Sequence, residues 1–176
     1  MMRLSVRLGV AATIFAGALL ASPLPATEPG QPPGAGASNT GLPVPRYVSL
    51  RSSEVNLRTG PGVRYPVEWV FVRQGMPVEI TAEFDTWRRI RDWEGSEGWV
   101  HQSMLSGRRA VVVIGDTRLV RRVAESSAPA VARAEPGVVG WLKKCERDWC
   151  EVDVSGYRGW LKRAEFWGVY ENEKVE

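Results

Sequence analysis

Val55-Asn56-Leu57-Arg58-Thr59-Gly60-Pro61-Gly62 sets an alternating run against a glycine and proline turn, and Gly98-Trp99-Val100 closes the unit that this run opens. In a strand Val55 and Leu57 share one face and Asn56 and Arg58 the other, so Leu57 enters a core while its polar neighbours bond to loops. Gly60 and Gly62 supply unusual backbone angles beside the fixed angle of Pro61, which suits a tight turn closing one end of a barrel. Between the bookends lie short runs rich in valine, isoleucine and aromatics, broken at Gly75-Met76-Pro77 and Glu94-Gly95-Ser96. That spacing belongs to a small all-β barrel or sandwich.

Strands are expected at Tyr47 to Leu57, Val67 to Val72, Val78 to Phe84, Thr86 to Asp92 and Gly98 to Val100, and helical periodicity is absent. Sliding the chain against itself by about 62 residues repeats the landmarks. Leu57-Arg58 falls on Val120-Arg121, Pro66 on Pro129, Trp87 on Trp149, Ile90 on Val152, and Gly98-Trp99-Val100 on Gly159-Trp160-Leu161. Two domains follow, 46–107 and 110–170. In the second, strands are expected at Ala110 to Ile114, Arg118 to Val120, Val138 to Lys144, Trp149 to Val154 and Tyr157 to Leu161. Ala124 to Ala132 is compatible with a loop, a helical turn or a strand.

The run from Val55 to Gly62, with Tyr65-Pro66-Val67, Gly75, Trp87-Arg88-Arg89-Ile90 and Gly98-Trp99-Val100, resembles the bacterial SH3-like domain. Copy two departs from the pattern where Leu119-Val120-Arg121-Arg122-Val123-Ala124 replaces the glycine and proline turn. The resemblance implies two tandem five- to six-stranded barrels, of a kind attached to, or acting near, cell-wall enzymes.

Upstream, Arg3 and Arg7 precede an apolar run from Leu8 to Ala21, followed by Ser22-Pro23-Leu24-Pro25-Ala26. A basic start, a short apolar middle and a small-residue end make residues 1–26 a secretory signal peptide. A spanning helix needs about 20 apolar residues, and Pro23 and Pro25 end this run sooner, so no stable membrane insertion is expected after cleavage. Residues 27–45, rich in Pro, Gly, Ala, Ser and Thr, read as a flexible linker. The expected location is outside the cytoplasm, periplasmic or extracellular.

Without Arg3 and Arg7 the chain carries 21 basic and 20 acidic residues, a net of +1. A nucleic-acid partner calls for a basic stripe on a basic total, so none is expected. His101 is the single histidine, too few for a His/Cys zinc site or for activating a cysteine in the second copy. No cofactor motif is present. Carboxylates at Glu94, Glu97, Asp148, Glu151 and Asp153 cluster near hairpin tips, which seldom hold an acid/base pair in a fixed, dry cleft.

Cys145 and Cys150, with four residues between them, stand at a hairpin, and in an exported chain with no third cysteine they are expected to form a disulfide. Two reduced, buried thiols are the alternative. Eight tryptophans remain to be placed. With Ile90 and Val152 inward, Trp87, Trp93 and Trp149 face out, and Trp99 and Trp160 are expected as lids over the barrel ends. Trp69, Trp87, Trp93, Trp141 and Trp149 suit a ligand surface or the seam between copies, and Arg58 suits a ligand contact or a loop clamp. The function these features imply is non-catalytic binding of cell-wall peptide or a cell-envelope protein. The alternative is a wall-remodelling hydrolase or an accessory subunit of one.

Overall fold

The computed structural model describes residues 40–176, in which fourteen short strands form two seven-stranded antiparallel sheets. The leader and most of the linker lie outside the described residues. Copy one contains β1 Arg46–Leu50, β2 Val55–Arg58, β3 Val67–Phe71, β4 Pro77–Phe84, β5 Trp87–Arg91, β6 Glu97–His101 and β7 Leu105–Ser106. Copy two contains β8 Ala110–Val113, β9 Arg118–Arg121, β10 Ala130–Ala134, β11 Val139–Glu146, β12 Trp149–Val154, β13 Tyr157–Lys162 and β14 Phe166–Trp167. The strand orders are β3-β2-β6-β5-β4-β1-β7 and β10-β9-β13-β12-β11-β8-β14, the same topology twice.

Each sheet curls round one core, because the inward residues of its two edge strands meet those of its middle strands. In copy one Phe71 of β3 and Leu105 of β7 join Leu50, Leu57, Ile80, Ile90 and Val100 in a single buried cluster. Copy two matches it with Val113, Val120, Val152, Leu161 and Phe166. Burying each such apolar side chain contributes on the order of 1.5 to 3 kcal/mol.

Two expectations are corrected here, and one reading left open is settled. Tyr47 to Leu57 is not one strand: the chain leaves the sheet over 51–54, where the Arg51 guanidinium donates to the Leu105 carbonyl and the Gln74 amide to the Arg51 carbonyl. The linker is not free as far as Pro45, because Val44 is buried, and Thr40 and Arg46 both bond the Glu83 carboxylate. Ala124 to Ala132 resolves into a loop followed by β10.

That loop repeats most of the bonds of its counterpart in copy one. Arg58 donates to the carbonyls of Val63 and Tyr65, and Arg121 to that of Ala128. The Thr59 amide bonds the Pro66 carbonyl, and the Arg122 amide the Pro129 carbonyl. In copy one the Tyr65 ring lies against Gly60, where a β-carbon would stand 2.4 Å from it. Copy two places a half-exposed Val123 and a buried Ala128 at the corresponding positions, so the loop keeps these backbone bonds without the glycine and tyrosine pair.

Candidate functional site

Alternation on β5, β6, β12 and β13 fixes which side chains face out. Arg88 and Ile90 are buried on β5, leaving Trp87, Arg89 and Arg91 outward, and on β12 Cys150, Val152 and Val154 are buried, leaving Trp149 outward. Register then builds a row across each copy. Phe84 of β4, Trp87 and His101 of β6 stand side by side, the Trp87 and His101 rings meeting edge to face at 5.5 Å. In copy two Glu146, Trp149 and Lys162 occupy that row, with the Lys162 ammonium 5.4 Å from the Trp149 ring centre. The neighbouring rows run Arg89-Trp99-Arg58 and Glu151-Trp160-Arg121.

Trp99 and Trp160 are therefore outward residues, not lids. The inward positions belong to Gly98 and Gly159, where a β-carbon would stand 2.6 Å from Leu57 and 2.6 Å from the Arg121 carbonyl respectively. Trp160 instead carries the Lys144 ammonium 5.1 Å from its ring, and a hydrogen bond to Glu146 holds that ammonium's pKa above the ordinary lysine value.

Trp87, Trp149, Trp93, Trp69 and Arg58 do not form one cluster. Trp87 and Trp149 hold equivalent positions in separate copies. Trp93 lies past the end of β5, beside the turn that Asp92 ties by accepting from the amides of Glu94 and Ser96. Trp69 is on β3, 59% exposed. Arg58 has its guanidinium on loop carbonyls. A cleft of about 240 Å³ beside the N-terminal segment is lined by Thr40, Leu42, Arg46, Ile80, Arg88 and Gln102, and no tryptophan reaches it. Among the described residues no group of three or more His, Cys, Asp or Glu is placed to hold a metal.

The seam takes the remaining aromatics. Trp141 packs its ring on Gly75 of copy one and under the Arg108 guanidinium at 3.5 Å. Trp167 and Tyr170 both meet Tyr47, at 4.8 and 4.6 Å between ring centres. The Tyr170 hydroxyl donates to the buried Glu79 carboxylate, which also pairs with Arg91. Burial, and then the Glu79 charge, push the Tyr47 phenol up to about 12; burial and the Glu79 hydrogen bond raise that of Tyr170 as well. Tyr47, Glu79, Trp167 and Tyr170 escaped the sequence because alternation shows which way a side chain points and not what meets it.

Cys145 and Cys150 are directly opposed in the β11–β12 register and form a disulfide. Residues 168–175 fold back over this hairpin, with the Cys145 amide donating to the Val175 carbonyl.

The sequence profile of the bacterial SH3 domain matches this chain twice, over residues 51–107 and 115–168. The chain belongs to the bacterial SH3 domain family. Such domains are binding modules, often found in cell-wall-associated proteins. Among solved structures this chain is similar to NlpC2 from Trichomonas vaginalis at 8% identity and a TM-score of 0.35, over 75% of this chain and 51% of that one. It is also similar to NlpC1 from Trichomonas vaginalis at 9% and 0.33, over 75% and 50%. The chain thus spans about half the length of either protein. No curated protein matches it. Its bacterial SH3 domains and disulfide fit an extracytoplasmic protein, and among the described residues no helix is long and apolar enough to cross a membrane.

Proposed function

We propose that this chain is an exported, non-catalytic binding protein whose bacterial SH3 domains engage cell-wall peptide or a cell-envelope protein through their outward tryptophan rows. The observation that carries the reading is the repetition: Trp87 and Trp149 take the same place in the two sheets, half-exposed, each beside a side chain that can bear positive charge. A large rigid ring offers contact area at low entropic cost, as the residues that dominate binding surfaces do. Trp93 extends the surface of copy one past the strand end. Hydrolysis needs an activated nucleophile, a metal-bound water or a fixed carboxylate pair, and the outward rows are built of rings and ion pairs instead.

The test is capture by purified cell-wall sacculi beside capture by immobilised envelope proteins. The double variant Trp87→Ala, Trp149→Ala is expected to keep the circular dichroism of the parent and to lose capture about tenfold or more. Undiminished capture by that variant would overturn the outward-row site. Release of soluble muropeptides by the pure protein would overturn the non-catalytic reading.

A further inference from the structure

The two copies share a topology but treat one edge of their sheets oppositely. β3 ends the first sheet and β10 the second, each hydrogen-bonded to a strand on one side only. A free edge presents unpaired backbone groups to any incoming strand, and proteins commonly blunt it with charge. Copy two does so. Arg58 pairs with Val67 and Arg121 with Ala130, which places Ala132, Arg133 and Glu135 where copy one has Trp69, Val70 and Val72, and Ser126 where it has Val63. Copy one keeps one charge on its edge, Glu68 where copy two has Val131, and surrounds it with apolar residues. Val63 and Val72 are each 79% exposed, and Val67, Trp69 and Val70 are exposed beside them.

We propose that β3 is a docking edge for an extended peptide strand from another protein, one with apolar residues at alternate positions and a basic residue opposite Glu68. The inference stands on this edge alone and does not use the tryptophan rows of β5 and β12. Added strands gain affinity from main-chain hydrogen bonds and specificity from alternate side chains. Glu68 sets the charge: it is exposed in the middle of the valine and tryptophan run, and its carboxylate has no partner among the described residues.

The same carboxylate disfavours a second copy of β3 as the occupant. In antiparallel pairing opposed side chains share a face, so a two-fold pair of β3 strands centres on a residue. Centred on Trp69, Glu68 opposes Val70; centred on Val70, it opposes Val72; centred on itself, it opposes another carboxylate. None of these registers supplies a cation.

The probe is a capped synthetic heptapeptide alternating valine with lysine and threonine, added to the full chain and followed by fluorescence anisotropy and by hydrogen exchange. Saturable binding is expected, with exchange of β3 amides slowed about fivefold or more and that of β10 unchanged. The variant Trp69→Ala, Val70→Arg, Val72→Glu writes copy two's own residues into the edge, so the fold already accommodates them at equivalent sites, and it should weaken binding at least tenfold. Val72→Glu alone, at a largely exposed position, should weaken it about threefold, as should glutamate in place of lysine in the peptide. Absence of binding, equal binding by the triple variant, or protection confined to β5 and β12 would overturn the proposal. So would a concentration-dependent dimer in sedimentation that Val72→Glu abolishes, since the occupant would then be a second copy.

Discussion

At Gly98 a missing side chain determines how closely two strands approach. A β-carbon there would stand 2.6 Å from the Leu57 side chain and 2.9 Å from the Arg58 carbonyl, and the backbone atom cannot swing away as a side chain can. Trp99 beside it faces out, half-exposed, over Arg58. The sequence shows the Gly-Trp pair plainly but not which partner packs inward, because a large aromatic next to a glycine looks like the core residue until the alternation is anchored by Val100. Gly98→Ala is expected to destabilise copy one by about 1 to 3 kcal/mol through overpacking. Trp99→Ala is expected to cost less than Gly98→Ala, since it opens no cavity in the core. Urea midpoints of the two single variants check the order, and a larger loss for Trp99→Ala would return that ring to the core.

Among the elements, longer strands were the legible ones: β4, β5, β11 and β12 carry enough alternation to be seen, whereas β7 and β14, two residues each, carry none. The loop before β10 was obscured by the exchange of Gly60 and Tyr65 for Val123 and Ala128, which keeps the loop's hydrogen bonds and loses the motif. The C-terminal segment was hidden for another reason, since it is held by charges scattered through the chain. Arg163 donates to the carbonyls of Tyr170 and Glu173, and Arg109 to the Glu173 carboxylate and the Gly168 carbonyl. Burial pushes the Glu173 carboxyl up, but the Arg109 hydrogen bond, the Tyr170 amide and the two guanidinium charges outweigh it and hold the pKa below the ordinary value. A carboxyl lowered on folding stabilises the native state above its unfolded pKa of about 4.3, and that contribution disappears as pH falls through the folded value. Glu173→Gln should therefore cost about 1.5 to 3 kcal/mol at pH 7, the range for hydrogen bonds to charged groups. The gap between parent and variant should narrow in urea melts at successively lower pH below 4, and a constant gap would show that the ionised carboxylate is not what holds the segment.

For the whole molecule, the two copies are one compact unit because the seam is built from residues that neither repeat needs alone. Each barrel is small, of a size at which a single core is marginal, and the seam buries Tyr47, Trp141, Trp167 and Tyr170 against the opposite copy or the segment that leads to it. Its hub is Glu79, 3% exposed, accepting from Arg91 and from the Tyr170 hydroxyl. Removing one donor leaves a buried carboxylate less satisfied, so Tyr170→Phe should cost about 1 to 3 kcal/mol, and Tyr170→Phe with Trp167→Ala should split a single thermal transition into two. Alkali tests the same contact without mutation. A phenol whose pKa is raised on folding supports the native state fully below its unfolded value of about 10, and that support is lost as pH rises through the folded value, which for Tyr47 is about 12. Stability of the parent should therefore fall between pH 10 and 12 more steeply than that of the variant Tyr47→Phe, Tyr170→Phe. Its absorbance near 295 nm should show a tyrosine titrating near pH 12 that Tyr47→Phe removes. Parallel alkaline melts of parent and variant would instead place these rings outside the contact that couples the two copies.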